Sequence, residues 1–324
     1  MNIAPTDYLE VVRREYLGSF IEDGGAAVKF VVPMDGATPH DLHAPLRTAA
    51  EQTGYAFAFV DAASTRVHMI DQVFFAIARQ IDWDASARAF ALDVLRELAF
   101  RVSEHAPVLD LGAVAVEHGF SPTELSRDYR AELQRRINQD FEMARDFRVA
   151  MMRLCQAAVD PSPAAQTTRG LIAEWLTGDL RRISALKEAL LFQKITRANA
   201  RHMLVSLSHW LRRSGGRGLV LAQDIRQRAV GRRADAEQQI FYTKAMVLDA
   251  YEVLRQLVDG TDELKGCLAV VICPTEFLDN DYGRGLAAYQ ALHMRVYDEV
   301  RDQNRVNPLA ALIRLSVQPG VTPP

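Results

Sequence analysis

The residues between Val28 and Arg47 have the outline of a phosphate-binding loop. They read VKFVVPMDGATPHDLHAPLR, which is a hydrophobic run, a short polar loop and then an apolar period typical of a helix. A working loop of this kind has the pattern GxxxxGK[ST] between a strand and a helix. Its glycines let backbone N–H groups surround the phosphates, its lysine reaches the terminal phosphates, and its hydroxyl holds magnesium. The chemistry at issue is therefore the binding and transfer of a phosphoryl group.

Four positions of this loop carry residues that do not suit that chemistry. Pro33 stands where the first glycine belongs and Thr38 where the last one does, while Pro39 replaces the lysine and His40 the hydroxyl. Gly36 fits a glycine that related loops often carry within the variable part. Proline has no N–H and a fixed φ, so both prolines remove donors that phosphate binding needs. Pro39 does suit the first turn of a helix. The loop alone therefore favours an ordinary strand-to-helix turn over a nucleotide site.

A second candidate site is cationic. The segment RRSGGRGLVLAQDIRQRAVGRR contains seven arginines and one acid. Its centre reads as a buried strand, so we expect the arginines to lie in loops on either side. The loop after a parallel strand opens at the carboxyl edge of the sheet, where ligands usually bind. Arginines there could meet DNA phosphates or an acidic partner, although a solvated surface loop is the favoured interpretation. The seven are Arg212, Arg213, Arg217, Arg226, Arg228, Arg232 and Arg233.

A metal site is not predicted. His40 and His43 stand about one helical turn apart with Asp41 between them, which is conceivable for a metal. No third and fourth ligand follow at a readable spacing, so a polar helix N-terminus is favoured. The three cysteines form no CxxC pair, which argues against a zinc cage and against a disulfide framework.

Composition sets the broad class of the protein. The 324 residues are 49% hydrophobic and 24% charged, with a net charge of −3. These values favour a folded protein and argue against a generally basic coat for nucleic acid. The first residues have no basic-then-apolar signal pattern, and no uncharged run approaches the roughly 18 residues that span a membrane. We expect a soluble cytoplasmic protein.

The elements that must position these residues alternate between strands and helices. Buried strands are predicted at AVKFVV, YAFAFV, LVLAQ and LAVVIC, with helices between them. This order favours a three-layer α/β fold with a central, mostly parallel sheet. The predicted organisation is a first part of the α/β core at 1–84, a helical insertion and linker at 85–168, a second part of the core at 169–317, and a flexible tail at 318–324.

Four phrases stand in order along the chain and carry a family resemblance. They are REYLGSFIEDGGAAVKFVV, KITRANARHMLVSLSHWLRRSGGRGLVLAQDI, VLRQLVDGTDELKGCLAVVICPTEFL and RVNPLAALIRL. Together they resemble the P-loop ATP-binding family associated with BREX-type phage-defence systems, from about Glu15 to Leu315. The resemblance implies a P-loop NTPase-like, AAA-like core with a helical insertion.

The resemblance also implies where the remaining catalytic groups would stand. The family pattern has an LLDE-like end on a later strand, whose Asp helps to hold magnesium and whose Glu polarises the attacking water. Here the strand ends LVLAQDI, so Asp224 matches the Asp and Ile225 replaces the Glu. Thr275 matches a polar residue at the end of the next strand, near the γ-phosphate. Gly36, Asp224 and Thr275 are therefore expected to be vestiges of a nucleotide site.

Two functions follow as expectations. The first is a non-catalytic pseudo-ATPase, a scaffold or adaptor in an anti-phage defence complex, which binds no cofactor. Its partners would be other defence proteins, such as an active ATPase, a helicase or a DNA-modifying enzyme, with double-stranded DNA as a further candidate. The alternative is an ATP-binding or ATP-hydrolysing subunit whose non-standard loop is completed by a partner, with ATP and Mg²⁺ as cofactors. Damage to two independent motifs favours the first.

Overall fold

The computed structural model describes residues 2–34, 36–38, 40–103, 108–229, 239–279, 283–297 and 307–317, with backbone alone at residues 40, 228 and 229. The chain divides into two compact units. An α/β unit comprises Met1–Gln80 and Arg217–Pro324, and a helical unit comprises Ile81–Gly216.

The α/β unit begins with helices and the first two strands. In chain order these are α1 (Pro5–Val11), which continues as a wider π-helical segment (Val12–Phe20), β1 (Ala26–Met34), α2 (His40–Gln52), β2 (Ala56–Asp61) and α3 (Ile70–Ala78).

The helical unit follows without any strand in its described residues. Its helices are α4 (Trp83–Glu97), α5 (Leu111–Glu117), α6 (Pro122–Leu133), α7 (Arg145–Ala158), α8 (Pro163–Thr177) and α9 (Ala200–Arg213).

The chain then returns to the α/β unit. The remaining elements are β3 (Leu219–Asp224), a 3-10 turn (Arg226–Ala229), α10 (Lys244–Asp259), β4 (Cys267–Ile272), a second 3-10 turn (Thr275–Phe277), α11 (Gln290–Val296) and β5 (Leu312–Ser316).

The five strands form one parallel sheet in the order β2-β3-β4-β1-β5. The four predicted strands are confirmed, and all pair in parallel. The strand LVLAQD is β3, which lies between β2 and β4 and is buried along its whole length. Continuous apolar runs are typical of strands that are covered on both faces, so burial explains why these strands could be recognised. The fifth strand, β5, was not predicted.

The helices that follow β1 and β3 pack on opposite faces of the sheet. Leu42 and Leu46 of α2 share one buried apolar cluster with Val31 of β1. On the other face, Phe30 of β1 stacks on Phe277 with ring centroids 5.8 Å apart, and Tyr251 of α10 lies 5.9 Å from the same ring. Since Phe277 belongs to the connection that leaves β4, the chain leaves the neighbouring strands β1 and β4 toward opposite faces. Their carboxyl ends form a topological switch point, where open α/β sheets usually bind ligands.

Lys29 of β1 is a charged residue in the core of the α/β unit. It is 6% exposed, and its Nζ donates to the carbonyl oxygens of Leu309 (2.6 Å) and Ala310 (3.1 Å). The ammonium also lies 4.7 Å from the centre of the Tyr16 ring. Burial lowers the pKa of Lys29 from 10.5 to about 8. This side chain therefore links the residues that lead into β5 to β1.

The backbones of Gly218 and Gly266 are in close contact where β3 and β4 begin. Gly218 has a φ of 135°, and an added Cβ would lie 2.0 Å from the carbonyl oxygen of Gly266. That oxygen accepts the N–H of Leu219 at 2.9 Å, while the carbonyl of Gly218 accepts the N–H of Ala56 at 3.0 Å. The backbone at Gly218 is thus bonded toward both neighbouring strands and leaves no room for a side chain.

The boundaries of the helical part differ from the predicted ones. The predicted insertion covered 85–168, whereas the helical unit runs from Ile81 to Gly216. Residues 160–168, the end of the predicted insertion and linker, instead lead into α8, because the Ser162 side chain accepts the N–H of Ala165 and Pro163 occupies the first helical position. The tail at 318–324 lies outside the described residues.

None of the helices in the described part of the chain combines the length and apolar character needed to cross a lipid bilayer. The three cysteines are buried and form no disulfide.

Candidate functional site

The connection from β1 to α2 is built as a helix cap. The N–H and the Oγ1 of Thr38 both donate to Oδ2 of Asp41, at 2.7 and 2.9 Å. A carboxylate three residues into a helix that accepts the N–H of the capping residue is half of a capping box. Asp41 therefore satisfies an amide that a phosphate would otherwise take, and its negative charge disfavours an anion there.

The residues aligned with the glycines and lysine of a phosphate loop do not form a phosphate-binding turn in the described part of the chain. Pro33 is not in the loop, because it lies within β1 and pairs in register with Leu315 of β5. Gly36 is exposed, has a φ of 83°, and has no atom within 4 Å of where a Cβ would stand. Its left-handed conformation is a turn requirement and no close approach to another group demands it. Pro39 lies outside the described residues.

Asp224 ends β3 and is paired with an arginine. Its side chain is almost fully buried, and its register partners are Asp61 of β2 and Ile272 of β4. The Arg226 guanidinium donates from Nη2 to Oδ2 at 2.7 Å and from Nε to both oxygens, at 3.0 and 3.1 Å. The Arg226 N–H donates to Oδ1 at 3.0 Å. Both oxygens of the carboxylate matched to magnesium binding are thus occupied by a neighbouring cation.

Ile225 follows Asp224 and is part of the core. Its side chain is fully buried, and its N–H donates to the carbonyl of Ile272 at 2.9 Å, which extends the β3–β4 ladder by one bond. An aliphatic side chain in this place can neither orient nor deprotonate a water molecule.

Thr275 begins the 3-10 turn after β4 and is exposed. Its Oγ1 donates to Oε2 of the exposed Glu276 at 3.3 Å. The described carboxyl edge of the sheet therefore gathers Gly36, Asp224 and Thr275 at the ends of β1, β3 and β4, as the sequence suggests. It also places the carboxylate of Glu276 beside Thr275, which opposes the approach of a polyphosphate.

Four of the seven predicted arginines have described side chains, and they do not all lie in one element. Arg212 and Arg213 are the last residues of α9 and not loop residues, and Arg213 pairs with Asp140 at 3.5 Å. Arg217 precedes β3 and pairs with Glu22 at 2.9 Å, so it lies at the amino edge of the sheet. Arg226 follows β3 at the carboxyl edge.

The last three arginines follow Arg226 along the chain. The backbone of Arg228 lies in the 3-10 turn, while Arg232 and Arg233 lie outside the described residues. Six residues of β3 separate Arg217 from these positions, a length of about 20 Å. Arg217 therefore cannot share the edge at which Asp224 lies.

Metal binding by His43 finds no support in the described residues. Its ring packs against Phe59 and Phe57, with centroids 4.2 and 5.6 Å apart. The part of the chain that the structure describes contains no group of three or more His, Cys, Asp or Glu side chains placed to hold a metal ion.

Two contacts at this edge were not predicted. The Thr38–Asp41 cap has a readable signal, because a threonine followed three residues later by an acid marks a helix start. The Asp224–Arg226 pair has none, since it requires the chain to turn back immediately after β3.

Comparison with protein families gives a match over most of the chain. The model of a family described as "BREX system ATP-binding protein BrxC/D" matches residues 15–318. No curated protein and no solved structure matches the chain.

Proposed function

Because the chain belongs to the family of BREX system ATP-binding proteins BrxC/D, we propose that it serves a phage-defence system as a pseudo-ATPase. In this role it retains a P-loop NTPase-like sheet and acts as a scaffold or adaptor for other proteins of the system, without hydrolysing ATP. The five-stranded parallel sheet and its switch point are consistent with such a core.

The Asp224–Arg226 pair is the observation that carries the proposal. To hold Mg²⁺ or its water ligands, Asp224 would have to release the Arg226 guanidinium. Bidentate bonds between a guanidinium and a carboxylate are among the strongest hydrogen bonds in proteins. The Arg226 guanidinium therefore occupies the position on the Asp224 carboxylate that Mg²⁺ or its water ligands would need.

Two further features support the loss of hydrolysis. No lysine stands in the β1–α2 connection, so no ammonium is available there for the terminal phosphates. Buried Ile225 replaces the carboxylate that would polarise water. Groups of this kind each contribute orders of magnitude to phosphoryl transfer, so losing several of them removes the activity.

We expect purified protein to show no ATP hydrolysis above the buffer rate and no Mg²⁺-dependent ATP binding tighter than about millimolar, because the groups that hold metal and phosphate are absent or occupied. Phosphate release and calorimetry with and without Mg²⁺ measure this directly. The Arg226→Ala variant frees Asp224 and should remain inactive, since the lysine and the glutamate are still missing. Micromolar, Mg²⁺-dependent binding that Asp224→Ala abolishes would overturn the proposal and favour the subunit completed by a partner.

The proposal extends to DNA through the arginines after β3. Arg226 is held by Asp224, so its removal would mix a structural effect with a binding effect. We therefore expect the triple variant Arg228→Ala, Arg232→Ala, Arg233→Ala to bind duplex DNA more weakly with an unchanged melting temperature. Each lost phosphate contact should reduce the salt slope of binding by about 0.9.

Arg217→Ala is the matched control for this experiment. Arg217 is half-exposed and lies at the opposite edge of the sheet, so its loss should leave DNA binding unchanged. If the wild type binds no duplex DNA at low salt, the DNA extension fails and a protein partner remains. If the triple variant unfolds, the segment is structural and carries no recognition.

A further inference from the structure

The helical unit contains a cleft with no role in the proposed function. It has a volume of about 590 Å³ and lies between α6, α7 and the start of α8. Small-molecule sites typically have volumes of about 300–1,000 Å³. Tyr129 and Val159, both buried, contribute to an apolar part of its wall.

Two arginines line this cleft without a carboxylate partner. They are Arg130 on α6 and Arg153 on α7, and neither forms an ion pair with any residue in the described ranges. Arg153 donates from Nη1 to the neutral Oε1 of Gln156 at 3.0 Å. Its Nε is buried and has no hydrogen-bond partner among the described residues. Buried donors in native proteins are nearly always satisfied, so an unsatisfied guanidinium nitrogen beside a cleft indicates an absent acceptor.

The acids of the cleft are already engaged. Oδ1 of Asp110 accepts the N–H of Gly112 at 2.8 Å, and Oδ1 of Asp160 accepts the N–H of Ser162 at 2.9 Å. Both carboxylates therefore fix backbone turns, whereas the guanidiniums are the groups of the lining that keep hydrogen-bond donors for a ligand.

A neighbouring cleft shows the contrast. It has a volume of about 510 Å³ and is lined by Arg169, but this guanidinium lies 3.5 Å from a carboxylate oxygen of Asp84, which lines the same cleft. The charge of Arg169 is therefore matched within the protein, and Arg169 does not indicate an absent anion.

We propose that the 590 Å³ cleft binds a phosphate-bearing small molecule of up to about mononucleotide size, with its phosphate on Arg130 and Arg153. A phosphate group carries up to two negative charges, and its oxygens match the planar fork of a guanidinium. A ligand phosphate therefore suits two unpaired guanidiniums better than a ligand carboxylate, which carries one charge. The apolar wall leaves room for an organic part beside the phosphate. This binding needs no Mg²⁺ and is independent of the pseudo-ATPase proposal.

The test uses the full chain in EDTA, titrated calorimetrically with AMP, inorganic phosphate and adenosine. AMP should bind and adenosine should not, because the phosphate provides the recognition. Arg153→Met should weaken AMP binding about tenfold or more, as expected for one lost charged hydrogen bond. The AMP affinity of Arg153→Lys should lie between those of the wild type and Arg153→Met, since lysine keeps the positive charge but cannot donate two parallel hydrogen bonds.

Arg127→Met provides the control. Arg127 is on α6 like Arg130, but its side chain is 73% exposed, pairs with Asp128 and does not line the cleft. AMP affinity should be unchanged in this variant. If Arg153→Met does not fold, Arg130→Met gives the same test with an exposed side chain. Wild type that binds neither AMP nor phosphate, or binding that survives both cleft substitutions, overturns the proposal.

Discussion

Gly218→Ala is expected to destabilise the α/β unit by about 3 kcal/mol or more. The added Cβ would lie 2.0 Å from the carbonyl oxygen of Gly266 and 2.9 Å from its carbon, and both are backbone atoms. Relief requires β3 and β4 to separate where their pairing begins. Urea unfolding followed by circular dichroism measures the loss.

Gly215→Ala separates the two causes of this effect. Gly215 also has a positive φ, of 94°, but no atom lies within 4 Å of its Cβ position. It should show only the cost of a left-handed alanine, about 1–2 kcal/mol. Equal losses for the two variants would mean that the contact with Gly266 has no role.

Lys29 is expected to make the protein more stable as the pH rises above neutrality. Burial lowers its pKa from 10.5 to about 8, so between these values the folded protein binds fewer protons than the unfolded chain. The free energy of unfolding must then increase with pH in this window. Relative to Lys29→Met, the wild type should gain about 3 kcal/mol between pH 7 and pH 10.5.

Urea midpoints of both proteins across this pH range provide the measurement. Burial also raises the pKa of the neighbouring Tyr16, which lowers the free energy of unfolding at the alkaline end of this range in both proteins, so the difference between them reports Lys29. Lys187→Met, a change at an exposed lysine, should leave the pH dependence of stability unchanged. A constant difference between wild type and Lys29→Met would contradict a buried ammonium.

The sequence predicted strands best where both faces of the sheet are covered. β3 and β4 are buried at every residue, and their unbroken apolar runs have no competing interpretation. β5 is an edge strand that pairs with β1 on one side and forms an isolated bridge to Ile3, and its first four residues alternate between partial and full burial. The five residues LIRLS, with an arginine at the centre, resemble a helical turn as closely as a strand. Their strand conformation is therefore determined by tertiary pairing and not by local sequence.

The boundary of the helical unit was harder to predict for a similar reason. α8 and α9 are amphipathic helices that could cover either a sheet or other helices. The Pro and Ser residues around Ser162 are typical of a linker, yet they are also typical of a helix start. Which of the two applies depends on the packing partners of the helix, which periodicity does not specify.

At the candidate site, the sequence alone shows which catalytic groups are missing, whereas the contacts that replace them are visible only in the structure. Missing glycines, lysine and glutamate are visible in the sequence. The Asp224–Arg226 pair depends on the turn after β3, and the separation of Arg217 from Arg226 depends on the direction of that strand. Arg217 and Arg226 lie at opposite ends of β3, in agreement with the expectation of arginines on either side of this strand.

The pairing of β1 has a consequence for how the protein is made. Ala26 pairs with Cys267 and Phe30 with Leu312, whereas the helical unit consists of consecutive residues, Ile81–Gly216. As the ribosome releases the chain, the helical unit can form from local contacts while β1, with its apolar sequence, has no strand to join. Non-local strand pairings of this kind form slowly and leave apolar, aggregation-prone segments exposed in the meantime. The nascent chain is therefore most prone to aggregate during the interval before β4 emerges, and a chaperone that shields residues 26–34 would act at that stage.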